Sequence, residues 1–385
     1  MIVRRPYRLA LLAALPLLAT AACGRDAPEP PTVEASHPGA EAASRLRQSI
    51  ETATFTPPAP AAPGSPTPAP GVDGERREGE ARRDQTAEAP ARGGAVSGAL
   101  PEDARPEPAV VRAQILLDRT RFSPGIIDGL GGENTRQAIA AFEEANDLPV
   151  DGELDATVFE RLASGDSRPV LTDYTITAAD VAGPFIGTVP EDIEAMARLE
   201  TVGYADAREA LAEKFHMSEA LLDALNPGVD FGRAGQTLVV SATGPNELQG
   251  EVARIEVSKA ESSVRAFDAD GRLLAFYPAT IGSGDTPSPS GSHTVRAIAP
   301  RPNYTYDPSR VSYGDGGGKV VVPPGPNNPV GSVWIDLSRD TYGIHGTADP
   351  AEIGKTASSG CVRLTNWDDE QLADAVEQGV EVEFV

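Results

Sequence analysis

Two residues near the carboxyl end of the chain have the types that nucleophilic catalysis needs. Cys361 is one of only two cysteines in 385 residues, and it lies in the stretch KTASSGCVRLTNWD. A thiol with a pKa of about 8.5 is only about 3% thiolate at pH 7, so a cysteine nucleophile needs a base beside it. The competing interpretation is a buried cysteine that fills apolar space, which is the commoner use of a single cysteine.

The candidate bases in this part of the chain are His293 and His345. His293 lies in PSPSGSHTVRA, at the start of a predicted strand where we expect it to be exposed. His345 lies in TYGIHGTAD, where a strand meets a glycine, and the sixteen-residue step to Cys361 is rich in turn formers. Such a loop can fold back and set the two side chains together, and a strand end is a rigid place for a base. We therefore predict that His345 serves Cys361.

The elements that must position this pair are mostly strands. From about residue 250 the chain alternates apolar and polar residues on both sides of a DADG turn, as in RIEVSKAESSVRAFDADGRLLAFYPATIGS, which is typical of a hairpin. Further short runs follow, and helical spacing appears only in DDEQLADAVEQ. We predict a β-rich sandwich or barrel over residues 250–385.

The strings HGT and SSGCVRLTN, together with YPATIGSGDTPSPSG and VVPPGPNNPVGSVWIDL upstream, resemble the L,D-transpeptidase (YkuD) catalytic domain. The resemblance implies an L,D-transpeptidase-like β-sandwich with Cys361 as nucleophile and His345 as general base and acid. It also implies that the Gly346 carbonyl orients the imidazole. The family often has histidine where this chain has Ser359, so His345 is the titratable partner expected near the thiol.

The residues beside Cys361 have further candidate roles. Gly360 lets a substrate carbonyl approach the backbone, and the amides from Ser359 to Cys361 are candidates for an oxyanion hole. The candidate substrate-binding residues are Arg363 and Ser358. Ser358 has a second interpretation as a hydrogen-bonding residue of its own loop.

Arg363 has two interpretations of equal weight. Its guanidinium can hold a substrate carboxylate, or it can form a salt bridge with Asp368 or Asp369. Trp334 is expected in the core. For Tyr304 and Tyr306, lining a groove and packing are both open.

A helical block, residues 109–165, precedes the β-rich domain. Apolar residues recur at helical spacing in three segments separated by the turns SPGIIDG and PVDG. The block resembles the peptidoglycan-binding domain type 1 family, although Glu143 stands where that family commonly has Gln. The alternative is a small helical bundle with no ligand. The residues that fit the family are Gln114, Leu117, Asp128, Gly129, Ala138, Ile139, Phe142, Asp151 and Gly152.

Between these blocks, residues 171–243 resemble a degenerate LysM-type carbohydrate-binding module. There are two helical runs, the second of which ends in LNPG, and a β-run follows. Leu225, Asn226 and Pro227 match the family signature. A long insertion displaces the usual opening strand. We expect His216 to pack or face solvent rather than bind a ligand.

The amino-terminal part of the chain predicts export. Residues 1–22 combine arginines, an apolar run and small residues, as a signal peptide does. The string TAAC resembles a lipobox with Cys23 as the lipidated residue; the alternative is ordinary cleavage at Ala19 to Ala21. Residues 23–108 then read as a disordered Pro/Ala-rich linker, with a short helix around residues 40–50.

The composition excludes several classes of function. A net charge of −24 leaves no basic stripe for nucleic acid. Four dispersed histidines, with no paired cysteines and no H-E-x-x-H string, argue against a metal site, and we predict no cofactor. We expect a monomer in the periplasm that touches a membrane only through its lipid. Gly24 after Cys23 favours the outer membrane.

The family resemblance implies acyl transfer on peptidoglycan stem peptides. Cys361 would attack the third-residue carbonyl and release D-alanine, and an amine of another stem would then take the acyl group in a 3→3 crosslink. Alternative acceptors are water, a free D-amino acid or a lipoprotein lysine. A different class of function also stays open: a non-catalytic lipoprotein that anchors itself to peptidoglycan glycan.

Overall fold

The structure is a computed structural model that describes residues 38–55, 105–282, 287–309, 318–358 and 360–385. The predicted signal peptide, Cys23, residues 56–104 of the predicted linker and Ser359 lie outside the described residues. The described residues belong to one compact unit, so the predicted modules pack against one another.

The helices of the described residues are α1 (Pro38–Thr52), α2 (Pro108–Arg119), α3 (Glu133–Ala145), α4 (Ala156–Gly165), α5 (Ile193–Met196), α6 (Ala207–Lys214), α7 (Glu219–Leu225) and α8 (Asn366–Ala375), with a 3₁₀ turn at Pro350–Glu352. The strands are β1 (Leu171–Thr175), β2 (Thr237–Ser241), β3 (Arg254–Ser258), β4 (Ser263–Phe267), β5 (Leu273–Pro278), β6 (Gly291–Pro300), β7 (Tyr304–Tyr306), β8 (Val320–Val322), β9 (Val333–Leu337), β10 (Gly343–His345), β11 (Val362–Arg363) and β12 (Glu381–Phe384). No helix in the described part of the chain is long and apolar enough to cross a membrane.

The predicted three-helix unit is confirmed as α2, α3 and α4, and two buried side chains hold its turns. Gln114 Oε1 accepts from the Gly129 amide at 2.8 Å. Glu143 Oε2 accepts from the Gly152 amide at 2.8 Å, so it performs at the second turn what Gln114 does at the first. Both turn glycines have a positive φ, which favours glycine. Glu143 therefore departs from the family's usual Gln without losing the acceptor that the turn needs.

The central module has the order β1, α5, α6, α7, β2. β1 and β2 pair antiparallel from Leu171↔Ser241 to Thr175↔Thr237, so the opening strand is present and the insertion follows it. Asn226 of the LNPG string donates to the Val239 carbonyl and accepts from the Val239 amide, which ties α7 to β2. The LysM-like assignment itself stays a prediction.

Helix α1 lies inside the segment predicted to be a disordered linker. The expected short helix around residues 40–50 is present, but it is packed rather than isolated: Ile50 is fully buried in the core shared by α2 and α7. Glu51 also accepts from the Leu171 amide at 2.7 Å. The prediction of disorder is therefore wrong for residues 38–55, because one apolar stripe is enough when a neighbouring module offers a surface to bury it.

The β-rich region is built on one mixed sheet of eight strands, in the order β11-β10-β9-β6-β12-β3-β4-β5, beside the small β7–β8 pair. The ten-residue strand β6 pairs through its first half with β12 and through its second half with β9, with an irregularity between Val295 and Ala297. The two layers expected of a sandwich therefore come from one sheet that curls at β6. The predicted hairpin around the DADG turn is confirmed as β4 and β5.

A single apolar core fills the curl of this sheet. Val257 and Val264 from one half, Ile335 and Ile344 from the other, and Leu372 of α8 are all fully buried there. The single predicted late helix, α8, follows directly after β11. Its first residues therefore lie next to the strand that carries Arg363.

The upstream insertion packs on the β7–β8 pair. Val202 donates its amide to the Pro324 carbonyl at 3.1 Å, and Val202 and Val322 share a small buried cluster. Tyr304 packs against this cluster and Tyr306 is buried, so both tyrosines have the packing role rather than the groove role. The Pro-rich loop before β9 is likewise structural, since Asn327 is buried and donates to the Gly203 carbonyl.

Candidate active site

Three neighbouring strands set the candidate base and two of its neighbours on one face of the sheet. β10 pairs parallel with β11 through His345↔Arg363, and antiparallel with β9 through His345↔Trp334. Because paired residues point to the same face, His345, Arg363 and Trp334 share a face. Cys361 comes two residues before Arg363, at a bend directly before β11. Its sulfur lies close to the first residue of β10, since the Gly343 backbone amide acts on the thiol.

The opposite face of the same strands is apolar. Ile335, Ile344 and Val362 are fully buried in the core. A one-residue shift in register would exchange this core for the catalytic side chains, so burial of these three residues fixes the register.

Gly343 makes room on the catalytic face. A β-carbon at residue 343 would come within 2.5 Å of the Trp334 ring. Without it, the Trp334 indole lies across β10 and stacks on His345, with ring centroids 5.5 Å apart at 20°. Trp334 was expected in the core; it is half-buried and contacts the candidate base instead.

The His345 ring is held as a neutral base. Its Nδ1 lies 2.7 Å from the Gly346 carbonyl oxygen. A carbonyl only accepts, so Nδ1 carries the hydrogen and Nε2 keeps a free lone pair. The side chain is 3% exposed, and burial together with the Arg363 charge lowers the pKa of His345 to about 3. The orienting role that the resemblance implied for Gly346 is therefore matched by a hydrogen bond.

Cys361 is a free and partly exposed cysteine. Its Sγ lies 3.7 Å from the Thr341 carbonyl oxygen. Burial of the sulfur has the largest effect on the thiol and raises its pKa. The Gly343 backbone amide and the Arg363 charge lower the pKa, but by less, so the pKa is raised overall. Since the pKa of the thiol is raised and that of His345 is lowered, the resting pair is a neutral thiol and a neutral imidazole.

Arg363 is close enough to both candidate catalytic groups for its charge to act on them. Its charge lowers the pKa of both Cys361 and His345. Its backbone pairs on the outer side with Thr280, through hydrogen bonds of 2.9 Å in both directions. Asp368 and Asp369 were the two acids considered as salt-bridge partners of Arg363. In the structure, Asp368 accepts a hydrogen bond from Ser123 at 2.9 Å, and the Gly346 amide acts on the Asp369 carboxyl.

The loop before Cys361 is closed by its own hydrogen bonds. The Gly360 amide donates to Ser358 Oγ at 3.1 Å, and Ser358 Oγ donates to the Cys361 carbonyl. Ser288 donates to the Gly360 carbonyl at 2.8 Å. Ser358 therefore has the loop role that was its second interpretation, and the Gly360 amide is engaged in this state.

Residue 360 must be glycine on two counts. Its φ is +113°, a conformation that other residues rarely adopt. A β-carbon there would also lie 2.9 Å from the Tyr342 ring. Tyr342 and Thr341, whose φ is +70°, form the turn that joins β9 to β10.

Helix α8 supports the His345 turn from behind. Asn366 is buried, and its Oδ1 would lie 2.1 Å from a β-carbon on Gly346. Asp369 is fully buried; the nearby Gly346 amide partly offsets the effect of burial, which raises the pKa of the carboxyl. Neither Asp369 oxygen makes a hydrogen bond of good geometry. From the sequence, Asp369 was considered only as a salt-bridge partner of Arg363, and Asn366 was not considered; the short spacing from Cys361 was the available signal for both.

The other two described histidines lie apart from Cys361. His293 pairs with Val382 on the half of β6 that faces β12, and three strand spacings, about 14 Å, separate β6 from β11. His216 packs as expected, with Nδ1 2.8 Å from Asp118 Oδ1 and its ring stacked on Trp367. The described residues contain no cluster of three or more metal-ligating side chains.

Comparison with known proteins gives two family matches. The model of the L,D-transpeptidase catalytic domain, YkuD, matches residues 252–383, and the model described as "Putative peptidoglycan binding domain" matches residues 106–162.

Relatives among curated proteins support the first match. "Putative L,D-transpeptidase YkuD" of Bacillus licheniformis is 31% identical over 177 residues, which is 45% of this chain and 90% of that protein. "Probable L,D-transpeptidase YcfS" of Escherichia coli K12 is 32% identical over 188 residues, which is 46% of this chain and 58% of that protein.

Among solved structures, L,D-transpeptidase 3 from Mycobacterium tuberculosis aligns with 40% of this chain and 75% of that chain, at 15% identity and a TM-score of 0.29. The assignment therefore stands on the sequence matches, which cover nearly the whole length of the Bacillus protein. The chain belongs to the L,D-transpeptidase family of the YkuD type and is an acyltransferase of that family.

Proposed function

We propose that this enzyme transfers the acyl group of a peptidoglycan stem tetrapeptide from D-alanine to an amine, with Cys361 as nucleophile and His345 as general base and acid. The observation that carries the proposal is a partly exposed thiol beside β10, the strand that ends in a neutral imidazole with a free Nε2. A substrate carbonyl that reaches the thiol therefore lies beside the strand that carries His345.

In the first half-reaction, His345 Nε2 takes the Cys361 proton as the sulfur attacks the carbonyl of the third stem residue. Since the resting thiol is neutral, proton transfer accompanies attack rather than preceding it. The tetrahedral intermediate then collapses: the carbon–nitrogen bond breaks, the imidazolium gives its proton to the leaving amine of D-alanine, and a thioester to Cys361 remains.

In the second half-reaction, an amine of another stem loses its proton to His345 and attacks the thioester. The thiolate leaves and regains the proton, which regenerates the starting enzyme with a 3→3 crosslink formed. Arg363 supplies positive charge close to the sulfur and to the developing negative charge. A substrate carboxylate is the second candidate partner for its guanidinium.

The oxyanion hole is assigned to amides of the segment from Ser359 to Cys361. The Gly360 amide donates to Ser358 Oγ in the structure, so its use requires that this bond open when substrate arrives. Hydrogen bonds in an empty site commonly differ from those in the complex with substrate.

The upstream modules fit the same substrate. A peptidoglycan-binding domain at residues 106–162 would hold the enzyme on its polymer and raise the local concentration of stem peptides. The LysM-like residues 171–243 would add glycan contacts. This substrate places the enzyme outside the cytoplasm, in agreement with the predicted export signal, and lipidation of Cys23 would tether it to a membrane.

The test is muropeptide analysis after incubation of peptidoglycan sacculi with wild-type protein or Cys361→Ala. We expect 3→3 crosslinked dimers and free D-alanine only with the wild type. Release of D-alanine without crosslinks would favour water or another acceptor. Identical profiles from both proteins would contradict the proposal and support the anchoring function.

A further inference from the structure

One carboxylate of the upstream module reaches the catalytic half of the molecule. Glu213 lies at the end of α6, within the LysM-like residues, and its Oε1 accepts from Asn366 Nδ2 at 2.8 Å and from Tyr204 Oη at 3.1 Å. Asn366 is the first residue of α8 and is 2% exposed. This hydrogen bond joins residues 153 positions apart in the sequence.

The partners of Asn366 fix which way its amide points. Nδ2 donates to Glu213 and to the Pro326 carbonyl at 3.2 Å, and a carbonyl can only accept. On the other side, Oδ1 accepts from the Ser332 amide at 3.1 Å. A flipped amide would set the Pro326 carbonyl against an oxygen and the Ser332 amide against an NH₂ group, so the contacts allow a single orientation.

The oxygen of that amide lies against the turn that holds His345. Added β-carbons at Gly331 and Gly346 would both come within 2.2 Å of Asn366 Oδ1, so the two glycine backbones pack directly on it. The Gly346 carbonyl in turn accepts from His345 Nδ1. An unbroken set of contacts therefore runs from the upstream module to the imidazole.

We propose that Glu213 is a positioning residue for the His345 base: through Asn366 it fixes the Gly346 peptide, and thereby the orientation and tautomer of the imidazole. The upstream module is then part of the working active site as well as a means of attachment. This inference rests on the catalytic roles proposed for His345 and Cys361.

The environment of Glu213 makes glutamine a fair substitute. The residue keeps partial exposure, but its carboxyl is enclosed enough that burial, together with the nearby acids Glu209 and Glu370, raises the pKa of Glu213 to about 7. Near neutral pH it therefore spends much of its time as a neutral acid. A glutamine carbonyl can accept the same two hydrogen bonds, whereas alanine leaves Asn366 Nδ2 with one partner fewer.

The test compares full-chain wild type, Glu213→Ala, Glu213→Gln and Glu144→Ala. Glu144 is the matched control because it too forms a hydrogen bond between an upstream helix and the catalytic domain. Its partner is Arg265 at 2.8 Å, on β4, which lies at the other end of the sheet from β10 and β11. For each protein, the rate constant of Cys361 acylation by a carbapenem is measured against carbapenem concentration, which separates the maximal rate from the apparent affinity. Thermal unfolding monitors the fold.

We expect Glu213→Ala to lower the maximal acylation rate about tenfold, with less than a threefold change in apparent affinity. Glu213→Gln should stay within threefold of wild type, and Glu144→Ala should be unchanged. In the ¹⁵N spectrum of the His345 ring, wild type should show one tautomer, protonated on Nδ1, and Glu213→Ala a mixture. If the alanine variant does not fold, Glu213→Met fills the volume without an acceptor and answers the same question.

Equal maximal rates and equal ring spectra for wild type and Glu213→Ala would overturn the inference while leaving the proposed function intact. A rate loss matched by Glu144→Ala would also overturn it, because the effect would then be general to docking of the modules. A wild-type protein that is not acylated at Cys361 would instead defeat the proposed function itself.

Discussion

Burial of His345 as a neutral imidazole makes a prediction about stability at acid pH. The pKa of His345 is lowered to about 3 in the folded protein, against about 6.5 for an unfolded chain. Below pH 6.5 the unfolded state therefore binds a proton that the folded state does not. The stability lost on acidification grows as the pH falls from about 6.5 towards 3.

The magnitude follows from these two pKa values. At pH 5 the unfolded imidazole is mostly protonated and the folded one is not, which costs the folded state about 2 kcal/mol relative to pH 8. The side chain is 3% exposed, so solvent screening reduces this figure little. His345→Gln keeps a hydrogen-bond donor for the Gly346 carbonyl but does not titrate. When the pH is lowered from 8 to 5, the unfolding free energy of the wild type should therefore fall by about 2 kcal/mol more than that of His345→Gln.

The assay is urea unfolding of both proteins at pH 8 and pH 5. Buried acids such as Asp368 and Glu213, whose pKa values are raised to about 7, favour the folded state at acid pH, but they are common to both proteins and cancel in the difference.

His216→Gln should change the pH dependence of the unfolding free energy in the opposite direction. Burial lowers the pKa of His216, but Asp118 outweighs it and the pKa is raised overall. That histidine therefore stabilises the fold below about pH 6.5, and the stabilisation is lost as the pH rises through its folded pKa. A His345→Gln difference below about 0.5 kcal/mol, or one that favours wild type at pH 5, would refute the neutral-base assignment.

Three further substitutions test other parts of the site and fold. Arg363→Met should raise the pKa of Cys361 and slow its alkylation by iodoacetamide at pH 8 by about threefold to tenfold, whereas Arg363→Lys should not; unchanged rates with Met would show that the charge does not act on the sulfur. Gly360→Ala should slow carbapenem acylation and destabilise the protein by about 1–3 kcal/mol, because residue 360 has a φ of +113° and lies against Tyr342; wild-type acylation would argue that the loop conformation is unimportant. Glu143→Ala should cost roughly 2 kcal/mol in urea unfolding, since two backbone donors lose their acceptor, and Glu143→Gln should recover most of it; equal losses would contradict the acceptor role.

The placement of His345 at a strand end, and of Cys361 directly before the neighbouring strand, was predictable because its signals are local. A histidine at a strand end, a turn-rich step and a glycine before the thiol are each visible in the sequence. The supporting residues were not predictable in this way. Trp334 and Gly343 enter the site only because β9 and β10 pair in one register, and that pairing is set by burial of the opposite face.

Contacts between modules were even harder to predict from the sequence. Nothing near Glu213 indicates that it meets Asn366, since the contact depends on how two separately recognisable modules dock. Helix α1 was obscured for a related reason: its composition predicts disorder, and only the groove offered by α2 and α7 gives Ile50 somewhere to be buried. Sequence patterns indicate what a segment does alone, whereas these features depend on its neighbours.

Activation of Cys361 by His345 is tested most directly by the mass of the Cys361 peptide after exposure to a carbapenem, followed over time in wild type and His345→Gln. We expect one adduct, on Cys361, formed at least about 100-fold more slowly when the imidazole is absent. An adduct on another residue, or equal rates of labelling in the two proteins, would contradict the claim that this histidine activates this thiol.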